Sequence, residues 1–156
     1  MAQMEPLSII VSCVSLLRSV IQLSSYIRNF SVQVTEASKE ISALQADLLL
    51  LESLLTTLKS EIEGDPASEN AIPEETKLLI TGSMESCKGM SVRILELLEK
   101  FEKNSLARRL VWADHGRAEA LRLHETLKGH CTALKFAVQL IQLLVSTKFY
   151  STHVLN

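Results

Sequence analysis

The sequence predicts an all-α fold, a four- to five-helix bundle over residues 1–148 followed by a short tail, 149–156. Three observations lead there. Apolar residues make up 47% of the 156 but aromatics only 4%, so the apolar content is mostly Leu, Ile, Val and Ala, a mixture that favours helix. Gly (5) and Pro (3) are too sparse for a turn-rich all-β chain. Apolar residues also recur at spacings of three and four through most of the chain, the period of a helix with one face out of water. The length is that of one domain with ample apolar content for a packed core.

The first helix opens at Glu5-Pro6, where the missing N–H of proline is harmless, and should run to about Asn29. Ile9, Cys13, Leu16, Val20, Leu23 and Ile27 form a stripe with 4,3,4,3,4 spacing, which Leu7, Ile10, Val11, Val14, Leu17 and Ile21 widen into a broad arc. Ser8, Ser12, Ser15, Ser19 and Gln22 line the remaining face, and Arg18 is the one charge between Pro6 and Ile27. A helix this apolar suits the centre of a bundle, its serines allowing close approach of a neighbour. About 24 residues at 1.5 Å each also give roughly 36 Å, enough for a hydrocarbon core of about 30 Å. Arg18 and the interruptions by serine argue against a permanent span and for conditional insertion, with serines turned to other helices or a pore.

The second helix begins near Thr35 and carries a heptad seam, Ile41, Leu44, Leu48, Leu51, Leu55, Leu58 and Ile62, broadened by Leu49, Leu50 and Leu54 to the width of a multi-helix core. Glu63-Gly64-Asp65-Pro66 ends it, and an acidic loop through Asn70 and Ala71 follows. The third helix starts at Pro73 with Glu74 and Glu75 in its first turn, and its stripe is Ile80, Met84, Cys87, Ile94, Leu98 and Phe101. Gly82, Ser86 and Gly89 form a small-residue line suited to receiving the serines of the first helix. After a short segment, Leu106 to Trp112, Asp114 caps the last helix, expected to reach Lys148 with a core stripe of Leu121, Leu127, Cys131, Leu134, Val138, Ile141 and Val145, and Gly129 at a bend.

The net charge of −2 excludes a dedicated nucleic-acid binder, which needs a basic excess to neutralise phosphates. Charge is unevenly placed, with 4 Lys and Arg against 11 Asp and Glu in residues 1–75 and 9 against 4 in residues 100–156, a pattern read first as early and late regions attracting one another within the bundle and second as a basic face that attracts a membrane. Cys13, Cys87 and Cys131 are odd in number and embedded in apolar helices, as reduced cytoplasmic core residues are. No basic n-region precedes the first apolar run, so no signal peptide is expected.

No chemistry emerges from the remaining motifs. The glycines make no phosphate loop, His115, His124, His130 and His153 never stand four apart, and no Cys-x-x-Cys exists. No catalytic, cofactor-binding or metal-ligating residue is therefore expected, nor a small-molecule substrate. His130 and Cys131 are adjacent and point about 100° apart on a helix, which prevents a thiolate–imidazole pair. Glu40, Asp47, Glu52 and Glu61 read as a solvated face, and Lys100, Lys103, Arg108, Arg109 and Trp112 as a solvated basic turn with one aromatic, with contact to anionic lipid or RNA as the second reading.

Glu5-Pro6-Leu7-Ser8-Ile9-Ile10, the run Glu40-Ile41-x-x-Leu44 continuing along the leucine seam, and Leu110-x-Trp112 ahead of a Leu-rich helix with His130 occur in an order that resembles the N-terminal domain of fungal STAND (NOD-like receptor) proteins. This HeLo-like group also carries the label of an azaphilone pigment cluster protein N-terminal domain. The resemblance spans Met1 to about Leu144, with departures at Glu5, where the family often has Asp, and at Glu36-Ala37-Ser38, where it often has Asp-Ala-Pro. It implies a helical bundle placed ahead of a nucleotide-binding oligomerisation domain and a repeat sensor. In some relatives oligomerisation frees the N-terminal helix, which permeabilises a membrane in programmed cell death; that helix is Leu7 to Ile27 here. The expectation is a non-enzymatic signalling or effector module, cytoplasmic at rest and membrane-associated once clustered, with protein partners. A soluble self-association or partner-docking scaffold that keeps the first helix permanently in the core is the alternative.

Overall fold

A computed structural model describes residues 9–33, 38–64, 67–102 and 116–154. Among them are five helices and no strand: α1 (Ile9–Gln33), α2 (Ser38–Gly64), α3 (Ala67–Ala71), α4 (Glu74–Glu102) and α5 (Arg117–Val154). Four long helices form the bundle. α1 packs on α2 and α4, and α5 packs on α2 and α4, so α2 and α4 occupy opposite corners.

Chain directions follow from cross-helix contacts. α1 and α2 are antiparallel, being joined by the short link 34–37. Glu40 meets Arg117, and one heptad further on both helices Asp47 meets His124, so α2 and α5 are parallel neighbours. Cys13 against Met84 and Ser15 against Lys88 make α1 and α4 parallel likewise. α4 and α5 must then run antiparallel. Because α2 and α4 sit diagonally, the chain between them has to cross the end of the bundle, and α3 makes that crossing in contact with α2 and α5.

Each helix turns its 3,4-spaced stripe inward. All seven seam residues of α2 are at most 1% exposed, and Ile9, Cys13, Leu16, Val20, Leu23 and Ile27 of α1 at most 3%. α4 supplies Ile80, Met84, Cys87, Met90, Ile94, Leu97 and Leu98; α5 supplies Ala120, Leu123, Leu127, Cys131, Leu134, Val138 and Ile141. Ser91 survives in this interior by donating its hydroxyl to the Cys87 carbonyl at 3.0 Å, whereas the Ser24 hydroxyl has no partner among the described residues.

Several expectations are corrected. Leu49 and Leu50 do not broaden the α2 seam: both are exposed, and only Leu54 packs against the core, because along its length α2 is flanked by two long helices, α1 and α5, and α3 touches it only at one end. Leu121 is exposed too, with Ala120 and Leu123 taking its place on the buried side of α5. The acidic loop after Gly64 contains the helical turn α3, and Ile72 beyond it is buried. α1 continues past Asn29 to Gln33, and residues 149–154 of the expected tail continue α5 without a break at Gly129. Glu5, Pro6, Leu7, Ser8, Thr35, Leu106 to Trp112 and Asp114 lie outside the described residues, as do the side chains of Phe101 and Val145.

The acids of α2 are not all solvated either. Asp47 is buried and pairs with the Nδ1 of His124, and Glu40 accepts from Arg117 Nε at 2.9 Å, so two acids of the early region meet two bases of the late one. Burial raises the Asp47 pKa above its ordinary 3.8 despite the opposing hydrogen bond and charge of His124 and the charge of Lys128. A carboxyl shifted upward favours folding at low pH, and that contribution fades as pH rises through the raised value. His124→Leu removes the compensating partner. It should lower stability by about 1–3 kcal/mol at about pH 7 and by progressively less as the pH falls and the carboxyl, held above its ordinary value, takes up its proton, as read from urea unfolding across a pH series.

Burial also pushes the Cys13 and Cys87 thiols up to about 12 and Cys131 up to about 11. All three should resist a thiol-specific reagent in the native protein and react together once it is unfolded, which a colorimetric titration with and without urea will show.

Candidate membrane-active helix

α1 carries the residues expected from the sequence to form a membrane or oligomer face, and its environment differs on each side. On its inner side lie five large side chains, Ile9, Leu16, Val20, Leu23 and Ile27, all but removed from water. At about 1.5–3 kcal/mol each, exposing them together would cost roughly 7–15 kcal/mol, the size of the whole stability of a domain. α1 therefore cannot leave for water; it can leave only for another apolar environment.

The residues assigned to a membrane or oligomer face divide into three groups. Ile10 and Leu17 are half-buried and pack on the core. Val11 (57% exposed), Val14 (37%) and Ile21 (45%) are open to solvent. Ser12, Ser15 and Ser19 are half-buried, and Ser12 and Ser15 line a crevice of about 140 Å³ with Val11, Leu16, Met84, Glu85 and Lys88. The serine line thus faces α4, but across Met84, Glu85 and Lys88. It does not enter the line of Gly82, Ser86 and Gly89, all of which are exposed with open space where a Cβ would stand at either glycine. Leu7 and Ser8 lie outside the described residues.

Two polar contacts fasten α1 that no local motif announces. The Ile9 N–H donates to Glu69 Oε1 at 2.8 Å, so a side chain of α3, sixty residues away, satisfies an amide in the first described turn of α1 and places an acid near the positive end of its dipole. Lys88 Nζ donates to Ser15 Oγ at 3.0 Å, tying α4 to the serine line. Ser19 returns its hydroxyl to the Ser15 carbonyl at 3.3 Å, as a helix-interior serine does. Glu69 was hidden in sequence because an acidic loop residue says nothing of which helix end it will cap.

Among the described residues two helices are long and apolar enough to cross a membrane: Ile9–Asn29, with a mean hydropathy of 1.5, and Lys39–Gly64, with 1.4. The buried core helix of a soluble bundle meets the same description, and α2 does so here with its whole seam inside. No group of three His, Cys, Asp or Glu side chains clusters among the described residues. Of the basic turn, Lys100 is exposed at the end of α4, and Lys103, Arg108, Arg109 and Trp112 lie outside the described residues. No family model matches the chain, and neither curated proteins nor solved structures give a match.

The Glu69 contact has a direct consequence. Glu69→Ala should destabilise the protein by about 1 kcal/mol and speed amide exchange in the first turns of α1 more than in α2, measured by urea unfolding and by hydrogen exchange.

Proposed function

We propose that the chain is a non-enzymatic signalling or effector module whose α1 is held in the bundle at rest and engages a membrane when copies are clustered. The observation that supports this reading is the combination in α1 of span length, a deeply buried inner side and solvent-open Val11, Val14 and Ile21. A bilayer is the environment that offsets the cost of uncovering the inner side, and a set of clustered helices gives Arg18 and the serines somewhere other than lipid to face. The resemblance to fungal NOD-like receptor N-terminal domains supports the same reading and adds cell death as its outcome, with residence in the cytoplasm before activation and at the plasma membrane after it.

A second reading is favoured by the same energetics: a soluble scaffold in which α1 stays in the core and the bundle associates with itself or a protein partner. The two separate on a vesicle. Chains clustered through a fused inducible dimeriser should release dye from anionic vesicles, and Ile21→Asp should cut that release about tenfold or more while leaving the helical signal and melting temperature intact, since Ile21 is exposed. An Asp in the middle of a span opposes insertion by about 2.5–3.5 kcal/mol. Absence of release from clustered chains would remove the membrane reading and leave the scaffold.

A further inference from the structure

Between α4 and α5, on the outer side of the bundle, runs an apolar groove that no other described helix covers. Leu79 is 72% exposed and Phe136 68%, and with Leu140 they border a groove of about 360 Å³ between the two helices in which no lining residue is ionisable. On a chain with 22% charged residues, an uncharged open groove of this kind marks a contact surface.

What fits the groove is shown by the order of residues along the adjoining edge of α4. Glu75, Leu79, Gly82, Ser86, Gly89 and Arg93 follow one another at spacings of 4,3,4,3,4, and all six are exposed. Read forwards the line runs acid, large, small, small, small, base, and it is complementary to itself when reversed. A Cβ added at Gly82 or Gly89 meets nothing within 4 Å, so both positions are hollows open to an incoming side chain. Neither Glu75 nor Arg93 has an ion-pair partner among the described residues.

We propose that this face docks a second copy of the same chain, the two related by a two-fold axis that lays α4 antiparallel on α4 and α5 antiparallel on α5. With the axis between Gly82 and Ser86, Glu75 of each copy meets Arg93 of the other, Leu79 enters the hollow over Gly89, and Gly82 lies against Ser86. The same axis suits α5. Ser83 and Ala133 line the groove together, and an antiparallel α5 pair centred on Ala133 brings Phe136 within one residue of Gly129, which is likewise open. Charge, size and hollow match at both ends because a two-fold contact uses one patch twice.

The size of the face sets the strength. From Glu75 to Arg93 it is about 27 Å long at 1.5 Å per residue and two helices wide, roughly 500 Å² per copy. Doubled, that stands near 1,000 Å², the lower bound for a specific association, so the dimer is weak in dilute solution and forms when copies are brought together. It stands whether or not α1 ever reaches a membrane.

Sedimentation analysis of the full chain over a concentration series tests it. The expected result is a monomer–dimer equilibrium that Glu75→Arg alone and Arg93→Glu alone each weaken about tenfold, and that a one-to-one mixture of the two variants restores, since the reversed acid of one then meets the reversed base of the other. Gly89→Leu should also weaken it, by filling the hollow that receives Leu79, with the monomer's helical signal unchanged. A chain that stays monomeric at every concentration, or a mixture that recovers nothing, overturns the proposal. Binding of anionic vesicles that Phe136→Asp abolishes, without any dimer in solution, overturns it in favour of a lipid surface.

Discussion

α2 and α4 stand at opposite corners of the bundle, and the chain that joins them has to pass over its end. Much of the rest depends on that crossing. It makes α1 and α4 parallel neighbours and α2 and α5 parallel neighbours, where a simple up-and-down bundle has only antiparallel ones. It requires an ordered turn, α3, in what composition reads as a loop, and it fills the end of the core with Ile72. It also carries Glu69 to the first described turn of α1, so the connection that closes the core at this end also fastens that helix.

Parallel packing of α2 and α5 explains the interior polar contacts. Two helices running in the same direction keep the same heptad register along their length, so acids seven apart on one meet bases seven apart on the other: Glu40 with Arg117, Asp47 with His124. The outer pair remains partly wetted and contributes little. The inner one is different, because a buried carboxylate without its partner is expensive. The Cys131 thiol, 3.9 Å from the Asp47 carbonyl, belongs to the same layer.

The bundle leaves two kinds of apolar surface, and they ask for different partners. On α1 the exposed Val11, Val14 and Ile21 flank a deeply buried stripe, which cannot itself be uncovered without dismantling the core. On α4 and α5 the exposed Leu79, Phe136 and Leu140 border a groove that is already formed, and a partner can fill it without disturbing anything inside.

The helical class, the inward stripe of α1 and all seven seam residues of α2 were legible in the sequence, because a period of 3.6 residues leaves a regular trace wherever one side of a helix is buried. What periodicity could not give is how wide each buried arc is or which helix lies against it. Leu49, Leu50 and Leu121 look like core and stand in water, since an arc is as wide as the number of neighbours allows, and neighbours are set by the crossing of α3. Asp47 looks like surface and is buried, since its partner His124 lies on a helix whose direction relative to α2 no local pattern encodes. The line of Gly82, Ser86 and Gly89 was visible as a pattern, but its outward aim belongs to the tertiary structure alone. The sequence determined which residues share a side of each helix; the packing of helices decided what that side meets.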